Sequence, residues 1–130
     1  MSLYGVFWDL WPEEKDMGYV YFAQMHRVGP IKIGFARNVK KRIGHLQTHS
    51  PFEIVLIHKT PSTVKEEKQV HEKFSKWRIR GEWFHPSDEI FDYIKMCVKK
   101  DIKYKAHRTV EEVVEFDRQI ENRRQNGRLV

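Results

Sequence analysis

The chain is poor in cysteine: Cys97 stands alone among 130 residues. One thiol cannot form an internal disulfide or a Cys-rich zinc cluster, which fits a reducing compartment. Because Cys97 sits in the apolar run Ile94, Met96, Cys97, Val98, it reads as a core thiol rather than a nucleophile. Long hydrophobic runs are missing too. No stretch approaches the ~20 apolar residues that a membrane span requires, and the opening Met1–Tyr4 lacks the basic region and long apolar stretch of a signal peptide. The expectation is a soluble chain without a membrane partner, cytoplasmic, or nuclear in a eukaryote. No internal repeat or low-complexity run is present. Acidic residues are absent from Arg37 through Pro51, where Arg37, Lys40, Lys41 and Arg42 stand together.

What is there describes a folding chain. Hydrophobic residues make up 40% and aromatics 13%, values well away from disordered composition, and the length suits one domain with trimmings. A formal net charge of +6 favours polyanionic partners, since a basic surface gains by releasing the counterions of nucleic acid.

Met1 to Met17 mixes aromatics with Pro12, Glu13 and Glu14 without a clean period, and reads as an N-terminal extension. Gly18–Gln24 and Ile31–Phe35 are β-branched and aromatic runs separated by Gly29 and Pro30, which predicts a hairpin. Asn38 then caps a helix with Val39, Ile43 and Leu46 along one stripe. Cations near a helix start oppose its dipole, so Lys40, Lys41 and Arg42 call for a reason other than helix stability.

Phe52–Thr60 predicts a third strand. Thr63 and Glu66 have capping-box spacing ahead of a helix contributing Val64, Val70, Phe74 and Trp77, and Gly81 reads as the end of that region. Ser87 caps the next helix, with Ile90, Phe91, Tyr93, Ile94 and Val98 on its buried side. A polar linker at Asp101–His107 precedes a last helix, where Thr109 and Glu112 repeat the capping spacing and Val110, Val113, Val114 and Ile120 form a stripe. That stripe either docks on the domain or pairs with a second copy to give a homo-oligomer, and the end carrying Arg123, Arg124 and Arg128 reads as frayed. The expected fold is α/β in the α+β sense. It comprises a small three-stranded, mainly antiparallel sheet flanked by helices, with an extension (1–17), a domain (18–100), and a linker with an added C-terminal helix (101–130).

Tyr-Val-Tyr at 19–21, Lys-Ile-Gly at 32–34, a helical Arg42 and Gly-Glu-Trp-Phe at 81–84 follow one another in that order. Their order and spacing resemble the GIY-YIG nuclease superfamily over roughly residues 18–99, closest to its phage- and fungus-associated branch with Lys-Ile-Gly as second motif. The resemblance implies a DNA endonuclease requiring Mg²⁺ or Mn²⁺. Glu82 then matches the metal-holding carboxylate, Tyr21 a residue of water activation, Arg42 the phosphate-stabilising arginine, and Lys32 the start of the second motif. Tyr19 stands where the family usually has Gly, Lys32 where the better-known nucleases have Tyr, and Leu46 where they have His, although His45 is adjacent.

The chemistry suits these residue types. Phosphodiester cleavage requires an activated water, a cation near developing charge and stabilisation of the leaving oxygen. A carboxylate such as Glu82 is a hard ligand for Mg²⁺ or Mn²⁺, and the Arg42 fork matches two phosphate oxygens. The Tyr21 hydroxyl, with an ordinary pKa of about 10, needs neighbours that favour phenolate. Lys32 can act by charge, by phosphate contact or, if desolvated, as a base. Gly34 admits close approach of the substrate, and Arg37, Lys40, Lys41, His45 and His71 are candidate DNA contacts. Glu67 and His71, like His45 and His49, are one helical turn apart, but no third and fourth ligand accompanies either pair in the sequence, which argues against structural zinc. Two rival readings remain: a DNA-binding module that does not cut, and a self-associating interaction protein.

Overall fold

A computed structural model describes residues 17–104 and 110–129. Among them, five strands and four helices follow the order β1 (Met17–Met25), β2 (Ile31–Ala36), α1 (Val39–Thr48), β3 (Ile54–Thr63), α2 (Val64–Lys73), β4 (Arg78–Arg80), β5 (Trp83–Phe84), α3 (Asp88–Tyr104) and α4 (Val110–Leu129). A 3₁₀ turn, Ser75–Trp77, links α2 to β4. The strands form one antiparallel sheet in the order β3-β1-β2-β5-β4.

Alternation along β1 divides the protein into two packed layers. Val20 and Phe22 join Ile31, Ile33, Phe84, Phe91 and Ile94 in the main core, covered by α2, α3 and α4. Tyr21 and Ala23 point the other way, into a smaller cluster with Val39 and Ile54, packed by Ile43, Leu46 and Trp83. This second face carries α1. The anticipated caps form: the Asn38 side chain accepts from the Lys41 N–H at 3.0 Å, Thr63 Oγ1 from Glu66 at 3.1 Å, and Ser87 Oγ from Ile90 at 3.3 Å. Cys97 lies in the interior, where burial pushes its thiol up to about 11.

The α+β class holds, but the three-stranded sheet does not. Arg78–Arg80 and Trp83–Phe84 add a short hairpin to the edge of β2, in register Ile31 to Phe84 and Lys32 to Trp83. Its two-residue turn is Gly81–Glu82, with Gly81 at φ +56°, a conformation glycine adopts without a Cβ clash. Gly81 therefore turns a hairpin rather than ending a helical region. Val64, expected among the apolar contacts, is exposed.

The expected linker is helical in its first part, since α3 continues through Asp101 to Tyr104. Asp101 has a reason to be ordered there: its carboxylate takes the His58 Nε2 at 2.6 Å and the Thr60 hydroxyl at 3.1 Å, fastening α3 to β3. Residues 1–16 of the N-terminal extension and the capping Thr109 lie outside the described residues. Helix α4 lies on the domain, with Ile120 buried in the main core. Arg123 and Arg124 are docked rather than frayed: Arg123 donates to the buried Gln24 at 2.6 Å, and Arg124 pairs with Asp92 and Asp88.

Candidate active site

The Gly81–Glu82 turn folds the hairpin back over β2, and the Ile33 N–H donates to the Glu82 carbonyl at 2.9 Å. That bond ends the ladder between β2 and β5. The next acceptor on the same edge, the Ile33 carbonyl, takes a hydrogen bond from His71 Nε2 of α2 at 2.7 Å. A carbonyl only accepts, so the imidazole carries its hydrogen on Nε2. His71 thus closes the strand edge where the hairpin leaves it, and its ring rests 5.3 Å from that of Phe84.

One helical turn earlier, Glu67 places Oε1 3.4 Å from His71 Nε2. Ligand atoms of Glu67, His71 and Glu82 all lie within 4.8 Å of one another. On the facing strand, Lys32 sets its ammonium 3.0 Å from Glu82 Oε1 and 5.3 Å from the centre of the Trp83 ring. The lysine side chain is largely buried while that of Glu82 is 39% exposed. Strands β1 and β2, helix α2 and the hairpin turn therefore deliver Tyr21, Lys32, Glu67, His71 and Glu82 to one spot at the edge of the α1 face.

Tyr21 is nearly fully buried and pairs in register with Gly34. A Cβ built on Gly34 would sit 2.5 Å from both Cζ and Oη of the tyrosine. Gly34 is thus the floor on which the Tyr21 ring lies, and the space that suggested close substrate approach is filled by that ring.

Electrostatics order the protons. Burial, then the charges of Glu82 and Glu67, push the Tyr21 hydroxyl up to about 12, with Arg42 pulling the other way. The neighbours favour the neutral phenol, not phenolate. Burial raises Glu67 to about 7, helped by its hydrogen bond with Glu82 and that group's charge. Burial acts on Glu82 in the same upward direction, but hydrogen bonds from Glu67 and Lys32 outweigh it and hold the carboxyl below its ordinary value. Of the two coupled carboxyls, Glu67 is therefore the one pushed toward its protonated form and Glu82 the one held toward carboxylate.

Arg42 lies within electrostatic reach of Tyr21 from exposed α1. Arg37, Lys40 and Lys41 stay on the exposed start of the same segment and form no ion pair with a described residue. His45 is also exposed, its ring tilted against that of His49 at the end of α1 with centres 5.0 Å apart, rather than gathered into the cluster. Glu67 lies in the cluster although the sequence marked it only by its spacing from His71; the third ligand-type side chain that the fold brings to the pair is Glu82, 15 positions from Glu67 in the chain.

Residues 18–116 match the T5orf172 domain. The chain belongs to the T5orf172 domain family. This domain occurs in phage and GIY-YIG-like endonuclease-related proteins. No curated protein and no solved structure matches the chain. The T5orf172 match takes in every residue of the cluster and the start of α4. Among the described residues no helix is long and apolar enough to cross a membrane.

Proposed function

We propose that this T5orf172 domain is a metal-dependent DNA endonuclease of GIY-YIG type that hydrolyses phosphodiester bonds. The observation that carries the reading is the convergence of Glu82, Glu67, Lys32 and Tyr21 at one partly open spot beside the basic face of α1.

The donor set fits Mg²⁺ or Mn²⁺: two carboxyls whose oxygens approach within 4.8 Å, one of them open to solvent, supply hard oxygen ligands. His71 is less suited through Nε2, which is engaged with the Ile33 carbonyl, so Glu82 with Glu67 would hold the ion. When bound, it supplies positive charge to a phosphate oxygen and lowers the pKa of coordinated water. The protein does the rest. Arg42 offers its fork to the phosphate, Lys32 neutralises charge developing beside Glu82, and Tyr21, held as a phenol, positions a water through its hydroxyl. Arg37, Lys40 and Lys41 grip the flanking backbone without reading sequence.

Purified wild type and Glu82→Ala are incubated with supercoiled plasmid in Mg²⁺, Mn²⁺ or EDTA. Metal-dependent nicking by wild type, lost by at least ~100-fold in Glu82→Ala with folding and DNA affinity retained, is the expected result. Equal cutting by both removes Glu82 from the mechanism.

A second reading rests on the 3.0 Å Lys32–Glu82 ion pair, which already satisfies the carboxylate with an internal cation. On that reading the domain binds DNA without cutting it. Salt-sensitive binding that ignores Mg²⁺, weakened by Arg42→Ala and Lys41→Ala, with no nicking of any substrate, would favour it.

A further inference from the structure

The hairpin that carries Glu82 also carries Arg78 and Arg80, on a strand whose three residues are all exposed. Among the described residues β4 is the outermost strand, with one edge unpaired. Residues two apart on a strand ordinarily point to the same face. Here they do not. Arg78 pairs with Phe84, and Arg80 pairs with Trp83, across a register irregularity between them. Cross-strand partners share a face. Phe84 belongs to the main core and Trp83 to the smaller cluster under α1, so the irregularity sends the two arginines to opposite faces.

The contacts agree with the register. The Arg78 guanidinium lies 5.5 Å from the Phe84 ring centre, on the core side, whereas the Trp83 ring has Lys32 against it. Arg80 is exposed and forms no ion pair with a described residue. Bulges recur beside functional sites because the extra residue re-aims a side chain. This one delivers a cation to the face that holds Lys32, Glu82 and α1, three strand spacings, or roughly 14 Å, from the strand of Tyr21.

We propose that Arg80 is a phosphate-binding residue, gripping the DNA backbone on the opposite side of Glu82 from Arg42, so that the two arginines bracket the phosphate to be cut. This rests on the DNA reading above. The roughly 14 Å between β4 and β1 leaves room for a backbone to lie across Lys32 and the Glu82 turn, with Arg80 on one side and Arg42 of α1, within electrostatic reach of Tyr21, on the other. The guanidinium fork suits paired phosphate oxygens, and Arg78, turned to the far face, serves as an internal control on the same three-residue strand.

Binding of a labelled DNA duplex is measured by anisotropy against salt concentration, in EDTA, for the full chain as wild type, Arg80→Gln, Arg80→Lys and Arg78→Gln. Removing one phosphate contact lowers the slope of log affinity on log salt by about 0.9. Arg80→Gln shows that loss with a several-fold weaker affinity, Arg80→Lys regains the slope, and Arg78→Gln keeps the wild-type slope. A wild-type slope in Arg80→Gln, or an equal loss in Arg78→Gln, overturns the assignment. Wild type that binds but never cuts with Mg²⁺ or Mn²⁺ removes the nuclease reading and leaves the Arg80 comparison intact; wild type that does not bind DNA overturns both.

Discussion

Gly34→Ala tests whether Tyr21 is seated by the absence of a side chain. The added methyl would lie 2.5 Å from Cζ and Oη and 2.8 Å from Cε1 of a ring that is 1% exposed. Carbon atoms in contact prefer about 3.5–4.0 Å, so a shift of about 1 Å is demanded of a side chain held on an interior strand. Overpacking of this kind costs roughly 1–3 kcal/mol, against a gain of roughly 0.5–1 kcal/mol from replacing a strand glycine. The net loss is about 1–2 kcal/mol, or a melting point lower by roughly 4–8 °C at about 4 °C per kcal/mol for a domain of this size. Gly44→Ala is the control. It lies on exposed α1, where an added methyl would meet nothing within 4 Å, so helix propensity alone raises stability by about 1 kcal/mol. Melting curves of both variants and of Gly34→Ala combined with Tyr21→Leu complete the test, since removing the ring should recover at least about 1 kcal/mol of the Gly34→Ala loss. A Gly34→Ala protein that melts at or above wild type would refute the reasoning.

Two further outcomes follow from the packing and the charges. Ile120→Ala removes a side chain buried in the main core from α4 and should cost about 2–4 kcal/mol in urea denaturation; a loss below about 0.5 kcal/mol would mean that α4 does not hold the domain together. Glu67 titrates near 4.5 when unfolded and near 7 when folded. Between those values the unfolded chain has lost the proton that the folded chain keeps, so the Glu67 contribution to stability is full below pH 4.5 and falls as pH rises to 7. Glu67→Gln should flatten this decline when denaturation at about pH 5 and about pH 8 is compared in EDTA, and parallel pH dependence in the two proteins would exclude a raised Glu67.

Those elements that bury one face over a full period were legible before the fold was known. β1 declares itself instead by a run of β-branched and aromatic residues buried on both faces, α1 repeats Val39, Ile43 and Leu46, and Asn38, Thr63 and Ser87 announce helix starts through side-chain oxygens that the structure shows in place. β4 and β5 were not legible because three and two residues are too few to show an alternation, and every residue of β4 is exposed. Their signal lay in Gly81, whose positive φ turns the hairpin. The docking of α4 was hidden for a related reason: its described anchors include Ile120, Glu121 and two arginines, and an arginine bound to Gln24 or Asp92 has the same sequence signature as one in water.

At the site, residue identities were legible and their states were not. Motif order pointed to Tyr21, Lys32 and Glu82, which the fold brings together, but no motif says that Tyr21 is buried against two acidic groups and held above its ordinary pKa. Nor does spacing reveal that burial and Glu82 raise the Glu67 carboxyl, or that His71 Nε2 is occupied by a strand carbonyl. These states form one dependency. Burial raises Tyr21 and the charges of Glu82 and Glu67 add to it, while Lys32 helps to hold Glu82 in the charged form. Because burial is the first cause of the Tyr21 shift, the hydroxyl stays raised whichever of the two carboxyls carries the proton, and a change of charge on Glu67 or Glu82 adjusts that shift without removing it.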